Sequence, residues 1–261
     1  MLDSIMANTH NQSELVEIIK ERDRTPLVGL YHHAEHNIYN KLIIMNNAFC
    51  NNINSCQIYK EFPEMATGYG FDVFQYDFTG LGLSHGDFSQ TTVSSQIDDL
   101  KTVIDHYKKD KIISLIGHSL GGIVATNAYQ KEVEAIVLWN SPIGMKNAYN
   151  NYAADIKEKG YTIRIRGGKP IKVGKEMWKE FKTITHNKKV FGKIPVLYIH
   201  GSEDKSIDGN EFINNYFISK DNGLREIKGG DHEFQNNPEA RIEAIKETII
   251  WLMLRHNTHK K

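Results

Sequence analysis

The chain has 261 residues and carries 32 Lys and Arg against 32 Asp and Glu, so its formal net charge is zero. This balance argues against nucleic acid as a partner and against general binding to anionic membranes, because both need an excess of cations on one face. Hydrophobic residues at 40% and charged residues at 25% are typical of a soluble globular protein and exclude wholesale disorder.

The cysteines and the N-terminal residues bear on the cellular compartment. The two cysteines, Cys50 and Cys56, imply no disulfide framework, and without His or Cys partners at ligand spacing they make no metal site. We expect reduced, partly buried thiols. The N-terminus lacks the basic and continuous apolar regions of a signal peptide, and no apolar run approaches the ~20 residues of a membrane span. These features predict a cytoplasmic protein.

The predicted elements begin with an antiparallel pair. Residues 1–12 are polar and are expected to be loose, as is the tail at residues 257–261. Residues 15–20 and 27–32 read as short strands joined by a turn that contains Pro26. We expect them to form an antiparallel edge of a larger sheet.

The rest of the chain alternates strand and helix patterns. Five near-continuous apolar runs predict strands that are buried on both faces of a parallel sheet: residues 41–46, 71–76, 112–116, 135–139 and 196–200. Residues 94–108 and 239–254 carry apolar side chains at helical spacing. Together they predict an α/β fold with a mostly parallel central sheet flanked by helices.

One long interval, residues 140–193, breaks this alternation. Two runs about a Gly-Gly pair predict a β-hairpin over residues 161–173, and residues 175–185 predict a helix. We interpret residues 140–193 as a short inserted lid. The core, residues 13–139 and 194–256, is expected to be a single domain.

The lid is predicted to be basic, because Lys and Arg well outnumber Glu and Asp over residues 157–193. An acidic leaving group or an anionic surface near it is therefore left open as a hypothesis. Its aromatic side chains are candidates to line an apolar or aromatic acyl pocket: Tyr149, Tyr152, Tyr161, Trp178 and Phe181. The alternative is that they only seal the lid's own small core.

A Gly-x-Ser-x-Gly motif at residues 117–121 lies between a predicted strand and a helical run. In this context a sharp turn forces Ser119 into a strained conformation that lifts its hydroxyl clear of the sheet. Gly117 and Gly121 are needed because side chains there would collide with the neighbouring strand or helix. The N–H of Leu120, at the helix N-terminus, is predicted to form half of an oxyanion hole.

A serine nucleophile needs a general base, and that base needs an orienting acid. In the chain order expected after such a motif, the acid follows a later strand. Asp204 is the first choice there, with Glu203 and Asp208 as rivals. His232 lies on a Gly-Gly loop before the last helix. The sequence therefore predicts a catalytic triad of Ser119, His232 and Asp204.

Four blocks, in this order, carry a family resemblance: YDFTGLGLSHG at residues 76–86, the motif around Ser119, residues 200–204 and residues 230–232. They resemble the serine hydrolases of the α/β-hydrolase superfamily. Within it, the chain looks most like the small bacterial lid-bearing esterases of the cinnamoyl/feruloyl-esterase and monoglyceride-lipase type. The resemblance implies the α/β-hydrolase fold over nearly the whole chain.

One segment departs from the family pattern. The family has His-Gly after the strand that ends here at Asn46, and the next residue supplies the second oxyanion N–H. This chain reads Asn46-Asn47-Ala48-Phe49, which makes Phe49 the donor or, with a shift by one, Ala48. Loss of one donor typically costs about 10²–10³ in rate, so a misaimed loop would leave a weak enzyme.

The sequence thus predicts a carboxylic ester hydrolase that forms an acyl-enzyme on a small-molecule ester, without cofactor or metal. An acyl thioesterase or acyltransferase is the first alternative. A non-catalytic hydrolase-fold binding protein is the second, because the missing His-Gly is consistent with a repurposed scaffold. A peptidase is disfavoured, since prolyl peptidases of this fold carry a large extra domain. A homodimer is left open.

Overall fold

The computed structural model describes residues 13–37, 40–216 and 222–256, so the two termini that were expected to be loose lie outside the described residues. The strands are β1 (Ser13–Ile19), β2 (Pro26–His32), β3 (Lys41–Asn46), β4 (Asp72–Tyr76), β5 (Ile112–His118), β6 (Val133–Trp139), β7 (Tyr161–Arg166), β8 (Lys169–Gly174), β9 (Val196–Gly201) and β10 (Gly223–Ile227). The helices are α1 (Gln57–Gly68), α2 (Val93–Tyr107), α3 (Leu120–Asn127), α4 (Lys146–Lys159), α5 (Lys175–Phe181), α6 (Gly209–Tyr216) and α7 (Pro238–His256).

Eight strands within the described residues form the central sheet, in the order β1-β2-β4-β3-β5-β6-β9-β10. The six strands from β4 to β10 in this order run parallel, whereas β2 is antiparallel to β4 and β1 is antiparallel to β2. The predicted mostly parallel sheet with an antiparallel edge is confirmed.

Helices cover both faces of the sheet and create two apolar layers. On β3, Leu42 packs with the layer under α2 and α3, while its neighbour Ile43 packs with the layer under α1 and α7. This alternation follows from the strand period of two. All six residues of β3 are buried, which explains why such strands were visible as continuous apolar runs.

Three elements of the core were not predicted from the sequence. Helix α1 contains Pro63, a residue that disfavours a helix interior. Strand β10 is a short edge strand with exposed Arg225 and Glu226, so it has no apolar run. Helix α6 spans only eight residues.

Residues 140–193 leave the sheet between β6 and β9 and form α4, the hairpin β7–β8 and α5. Gly167 and Gly168 make the predicted hairpin turn, with φ of 53° and 74°. Helix α5 ends at Phe181 rather than continuing to residue 185, because Thr185 pairs with Gly144 in a β-bridge. Helix α4 was not predicted: none of its residues is fully buried, and the apolar side chains that it packs on the core are only partly buried.

The carboxyl ends of the parallel strands bring their following segments to one edge of the sheet. Asn46 at the end of β3 is in register with Gly117 on β5. Trp139 at the end of β6 is in register with both His118 and Ile199. The segments that follow β3, β5, β6 and β9 are therefore neighbours in space.

Two further sequence expectations bear on the described residues. Cys50 and Cys56 are both free and buried. None of the helices in the described ranges has the length and apolar character that a membrane span needs.

Candidate active site

Ser119 occupies the sharp turn between β5 and α3, with φ 54° and ψ −120°. A non-glycine residue in this region carries about 1–3 kcal/mol of strain and persists only where its surroundings hold it. Here the amide of Ser119 donates to the carbonyl of Trp139 at 2.9 Å, and its own carbonyl accepts from the hydroxyl of Ser141 at 2.7 Å. The turn is therefore held by the last residue of β6 and by the segment that follows it.

The two glycines of the motif are required by close backbone contacts. A Cβ at Gly117 would lie 2.5 Å from the carbonyl oxygen of Gly121. A Cβ at Gly121 would lie 2.6 Å from the carbonyl oxygen of Asn47. Glycine at position 121 thus lets the loop after β3 run beside the first turn of α3.

The side chains of Ser119, His232 and Asp204 meet at this edge. His232 Nε2 is 3.1 Å from Ser119 Oγ, and His232 Nδ1 is 2.7 Å from Asp204 Oδ2. The two rival carboxylates do not reach the imidazole: Glu203 is exposed, and Asp208 is exposed and accepts from the amide of its own neighbour at position 210. The structure therefore places Asp204 behind His232.

Asp204 is held in its ionised form. Its side chain is fully buried, which by itself raises the pKa of the carboxyl. The hydrogen bond and charge of His232, together with the amides of Ser206 and Ile207 on Oδ1, outweigh this and leave the pKa below its usual value. An ionised Asp204 is the partner that a protonated His232 requires.

A second histidine lies directly beneath the site. His118 Nε2 is 2.7 Å from the carbonyl oxygen of His232, so this nitrogen is the donor, and His118 Nδ1 accepts from the hydroxyl of Tyr59 at 2.7 Å. The same hydroxyl accepts from the amide of Ala48 at 3.0 Å. Burial lowers the pKa of His118 to about 3, so it is a neutral structural group.

These contacts bear on the second oxyanion donor. The amide of Ala48 is already bound to Tyr59, whereas the amide of Phe49 has no acceptor among the residues that the structure describes. Asn47 donates to the carbonyl of Tyr76 at 3.0 Å and so anchors the loop. Of the two alternatives at residues 48 and 49, Phe49 has the available N–H.

Comparison with known proteins identifies the fold that carries this site. A model of the family described as "Serine aminopeptidase, S33" matches residues 52–164, less than half of the chain. The esterase Est1E from Butyrivibrio proteoclasticus, with ferulic acid bound, superposes with a TM-score of 0.74 at 20% identity over 90% of this chain and 98% of that one. An esterase of Pyrococcus furiosus does so with a TM-score of 0.69 at 18% identity over 97% and 93%. The chain has the α/β-hydrolase fold.

A third solved structure, the esterase EaEST of Exiguobacterium antarcticum, has the same hydrolase fold with a TM-score of 0.70 at 12% identity over 91% of this chain and 99% of that one. No curated protein matches this chain in sequence. The matched family segment includes Ser119 but ends before Asp204 and His232. The likeness therefore supports the fold, and the chemistry depends on the geometry of the site.

In this hydrolase fold a cavity of about 960 Å³ opens beside Ser119 and His232. Its walls come from Phe49, from the segment that leads into α4 and from strand β7. Residues 140–193 thus contribute one side of the cavity.

Only one of the five aromatic candidates from this insertion lines the cavity, namely Tyr152. Trp178 and Phe181 are completely buried, and Trp178 donates from Nε1 to Thr162 at 3.1 Å. Both rings pack against Phe49 and belong to the main core, so they neither line the cavity nor seal a separate core of the insertion. Tyr149 and Tyr161 instead lie outside the cavity wall, each beneath a lysine ammonium.

Sequence reasoning missed Asn140, which organises the loops around the site. Its Nδ2 donates to the carbonyl oxygens of Asp231 and His232 at 3.1 and 3.0 Å, and its Oδ1 accepts from the amide of Gly201 at 2.8 Å. Asn140 has φ 45°, a conformation that asparagine adopts more readily than most residues. The sequence feature that could have identified Asn140 is its position directly after the strand β6, whose carboxyl end lies at the same edge as Ser119.

Arg164 and Arg166 were also missed as site residues, although both line the cavity. The signal was present in the predicted hairpin, where they alternate with Ile163 and Ile165. Alternation alone does not say which set of side chains faces the site.

Proposed function

We propose that this protein is a serine hydrolase that cleaves carboxylic esters of small molecules through an acyl-enzyme. The observation that carries the proposal is the continuous contact from Ser119 Oγ through the two nitrogens of His232 to Asp204, at 3.1 and 2.7 Å, beside an open cavity. This is the geometry that nucleophile, general base and orienting acid require.

In the first half of the reaction, Ser119 Oγ attacks the ester carbon while His232 Nε2 takes the hydroxyl proton. The imidazolium is stabilised by Asp204, which stays ionised because its pKa is lowered. His232 then gives the proton to the leaving alcohol. In the second half, His232 activates water, which attacks the acyl carbon and releases the acid and Ser119.

The tetrahedral intermediates carry a negative charge on the former carbonyl oxygen. We assign its stabilisation to the amides of Leu120 and Phe49. Leu120 is the first residue of α3, so its N–H has no intrahelical acceptor and lies at the positive end of the helix dipole. Support for Phe49 comes from the engagement of the competing Ala48 amide by Tyr59.

The substrate class is proposed from the cavity and from the solved relatives. A cavity of about 960 Å³ accommodates a small ester, and Est1E, of the same fold, is known with ferulic acid bound. Residues 140–193 are proposed to act as the lid that limits access to Ser119. Because the matching family model is described as an aminopeptidase, amide substrates are tested alongside esters.

The test is a substrate panel with the wild-type protein and Ser119→Ala. We expect hydrolysis of 4-nitrophenyl acetate, butyrate and octanoate, and labelling of Ser119 by a fluorophosphonate. Ser119→Ala should remain folded and lose more than about 10³ in kcat, because the nucleophile is removed. Undiminished ester turnover in Ser119→Ala would contradict the assignment.

The same panel separates the alternatives. Acyl-CoA thioesters and leucine 4-nitroanilide are offered at equal concentration to the esters. Preference for the thioester would favour a thioesterase or acyltransferase, and preference for the anilide would favour a peptidase. Absence of both turnover and fluorophosphonate labelling would favour a non-catalytic binding protein.

A further inference from the structure

Strand β7 carries two arginines on the face that turns towards the catalytic site. Arg164 and Arg166 are two residues apart and therefore share one face of the strand. Both line the cavity that contains Ser119 and His232.

The strand is inverted relative to the usual pattern of a surface hairpin. Ile163 and Ile165, on the opposite face, are 49% and 60% exposed, whereas the arginines between them are turned inwards and half-buried. Charged side chains normally occupy the solvent face, because turning them inwards removes part of their hydration. In a hairpin with isoleucines outside and arginines inside, the inner face must therefore offer the arginines an interaction that offsets the lost hydration.

Neither arginine has a carboxylate partner within the part of the chain that the structure describes. No acidic oxygen lies within 4.0 Å of either guanidinium, and the buried Nε atoms of Arg164 and Arg166 have no acceptor. The guanidinium of Arg164 lies 4.8 Å above the centroid of the Tyr152 ring. The N–H groups of Arg164 are thus not committed to an acceptor within the described residues, and its side chain lines the cavity.

The two positive charges also act on each other. Burial lowers the pKa of Arg164, and the neighbouring charge of Arg166 lowers it further. Arginine nonetheless stays protonated at neutral pH, so the site holds two adjacent cations that an anion would stabilise.

The cavity carries acidic groups on its other wall. Asp208, Glu211 and Glu226 belong to the segments after β9 and at β10, and all three are exposed. None of them forms an ion pair with the arginines. The cavity therefore has a cationic part at β7 and a second part where these three carboxylates outnumber the one cation, Lys205. An anionic substrate would be drawn to the β7 end and away from the other.

We propose that Arg164 and Arg166 form a subsite for a carboxylate or phosphate group carried by the substrate, so that the enzyme acts on anionic esters in preference to neutral ones of the same size. The inference rests on the proposed hydrolase function. Two guanidinium groups offer paired N–H donors that match the oxygen spacing of both carboxylate and phosphate. The subsite would orient the substrate relative to Ser119 through a group remote from the reacting ester.

Binding is measured first without catalysis, by calorimetry on the Ser119→Ala protein. The probes are octanoate, octyl phosphate and the neutral octanamide, which share one chain length. We expect at least one anion to bind about ten-fold more tightly than octanamide, as charge-assisted hydrogen bonds in a partly exposed site allow. The tighter of the two anions identifies the preferred group as carboxylate or phosphate.

Two double variants in the same background assign this difference to its residues. R164Q/R166Q should abolish the preference for the anion. K172Q/K175Q removes the same charge from exposed positions of the same hairpin and the following helix, and it should retain the preference. If R164Q/R166Q does not fold, as judged by circular dichroism, the single variants R164Q and R166Q should each weaken anion binding about three-fold.

Turnover then relates the subsite to the reaction. For each variant, kcat/KM is measured for 4-nitrophenyl monoesters of C6–C10 dicarboxylic acids and for the matching monocarboxylic esters. The ratio of anionic to neutral ester should fall about ten-fold in R164Q/R166Q and stay constant in K172Q/K175Q.

The proposal is overturned if neither anion binds more tightly than octanamide, or if the arginine and lysine variants lose the preference equally. Arginine-dependent anion binding together with no turnover of any ester would instead refute the proposed hydrolase function while the subsite stands.

Discussion

The hydroxyl of Tyr59 on α1 and Nδ1 of His118 on β5 are joined by a 2.7 Å hydrogen bond between two buried side chains. The bond is the middle of a chain that runs from the amide of Ala48 through Tyr59 and His118 to the carbonyl of His232. One buried network therefore holds both the loop proposed to supply an oxyanion donor and the loop that carries the proposed base.

We expect Tyr59→Phe to impair turnover by about ten-fold or more, mainly through kcat. The substitution leaves the amide of Ala48 and Nδ1 of His118 without partners, and each buried unsatisfied group costs about 1–3 kcal/mol. Both loops can then shift away from Ser119, and small displacements of reacting groups strongly lower the rate. Steady-state kinetics and urea unfolding measure the two effects.

Tyr31→Phe is the matched control for Tyr59→Phe. Tyr31 is also buried, and its hydroxyl donates to Asp72 at 2.6 Å, at the end of the sheet away from Ser119. It should lose somewhat less stability, because Asp72 keeps Lys111 and the amide of Ala34 as partners, and kcat should be retained. Equal kcat values for Tyr59→Phe and Tyr31→Phe would show that the network is only structural.

Asp204→Asn should lower kcat by about 10⁴ with little change in fold, as loss of the orienting acid does in serine hydrolases of other folds. The amide can donate to His232 Nδ1 and so stabilise the wrong tautomer. Glu203→Gln, at the exposed neighbouring position, removes the same charge and should leave kcat unchanged. A larger loss in Glu203→Gln than in Asp204→Asn would reverse the assignment.

Substitution of the nucleophile should reveal the backbone strain at position 119. With φ 54° and ψ −120°, any side chain at this position is strained by about 1–3 kcal/mol, which glycine relieves. Glycine loses about 0.5–1 kcal/mol in other contexts through its larger backbone entropy. We therefore expect Ser119→Gly to be more stable than Ser119→Ala by about 1 kcal/mol in urea unfolding. A more stable alanine variant would mean that the turn is not strained.

The stability of the protein should decrease on acidification through its buried histidines. Burial lowers the pKa of His118 and of His186 from 6.5 to about 3. Between these values the unfolded chain binds protons that the folded protein does not. The free energy of unfolding should therefore fall as the pH falls from about 6.5 towards 3, by up to about 1.4 kcal/mol per pH unit for each histidine.

Urea unfolding between pH 7.5 and 4.5 measures this slope. Below about pH 6.5, His186→Asn should reduce it by up to about 1.4 kcal/mol per pH unit, since one proton fewer is taken up on unfolding. His85→Asn also removes one imidazole, but from an exposed position, and therefore serves as the control. Identical slopes for wild type and His186→Asn would show that His186 is not kept neutral by burial.

Much of the fold was predictable because its signals are local. A strand buried on both faces must be apolar at every position, so β3 to β6 and β9 stand out as runs, and the turn at Ser119 follows directly from a strand, two glycines and a helix. Elements with a weaker signal were missed: the apolar side chains of α4 are only partly buried, and β10 is a half-exposed edge.

The sequence by itself determined the candidate nucleophile and the chain order of the groups around it, because these depend on residue type next to a local pattern. Only the tertiary structure decided between residues that are adjacent in the sequence and carry the same functional group. Asp204 rather than Glu203 faces His232, and the amide of Ala48 is taken by Tyr59, through contacts with segments distant in the chain. Which face of β7 turns to the cavity is likewise set by the packing of residues 140–193 on the core. Side chains alternate along a strand with a period of two whichever face turns inwards, so the sequence pattern does not distinguish the two faces.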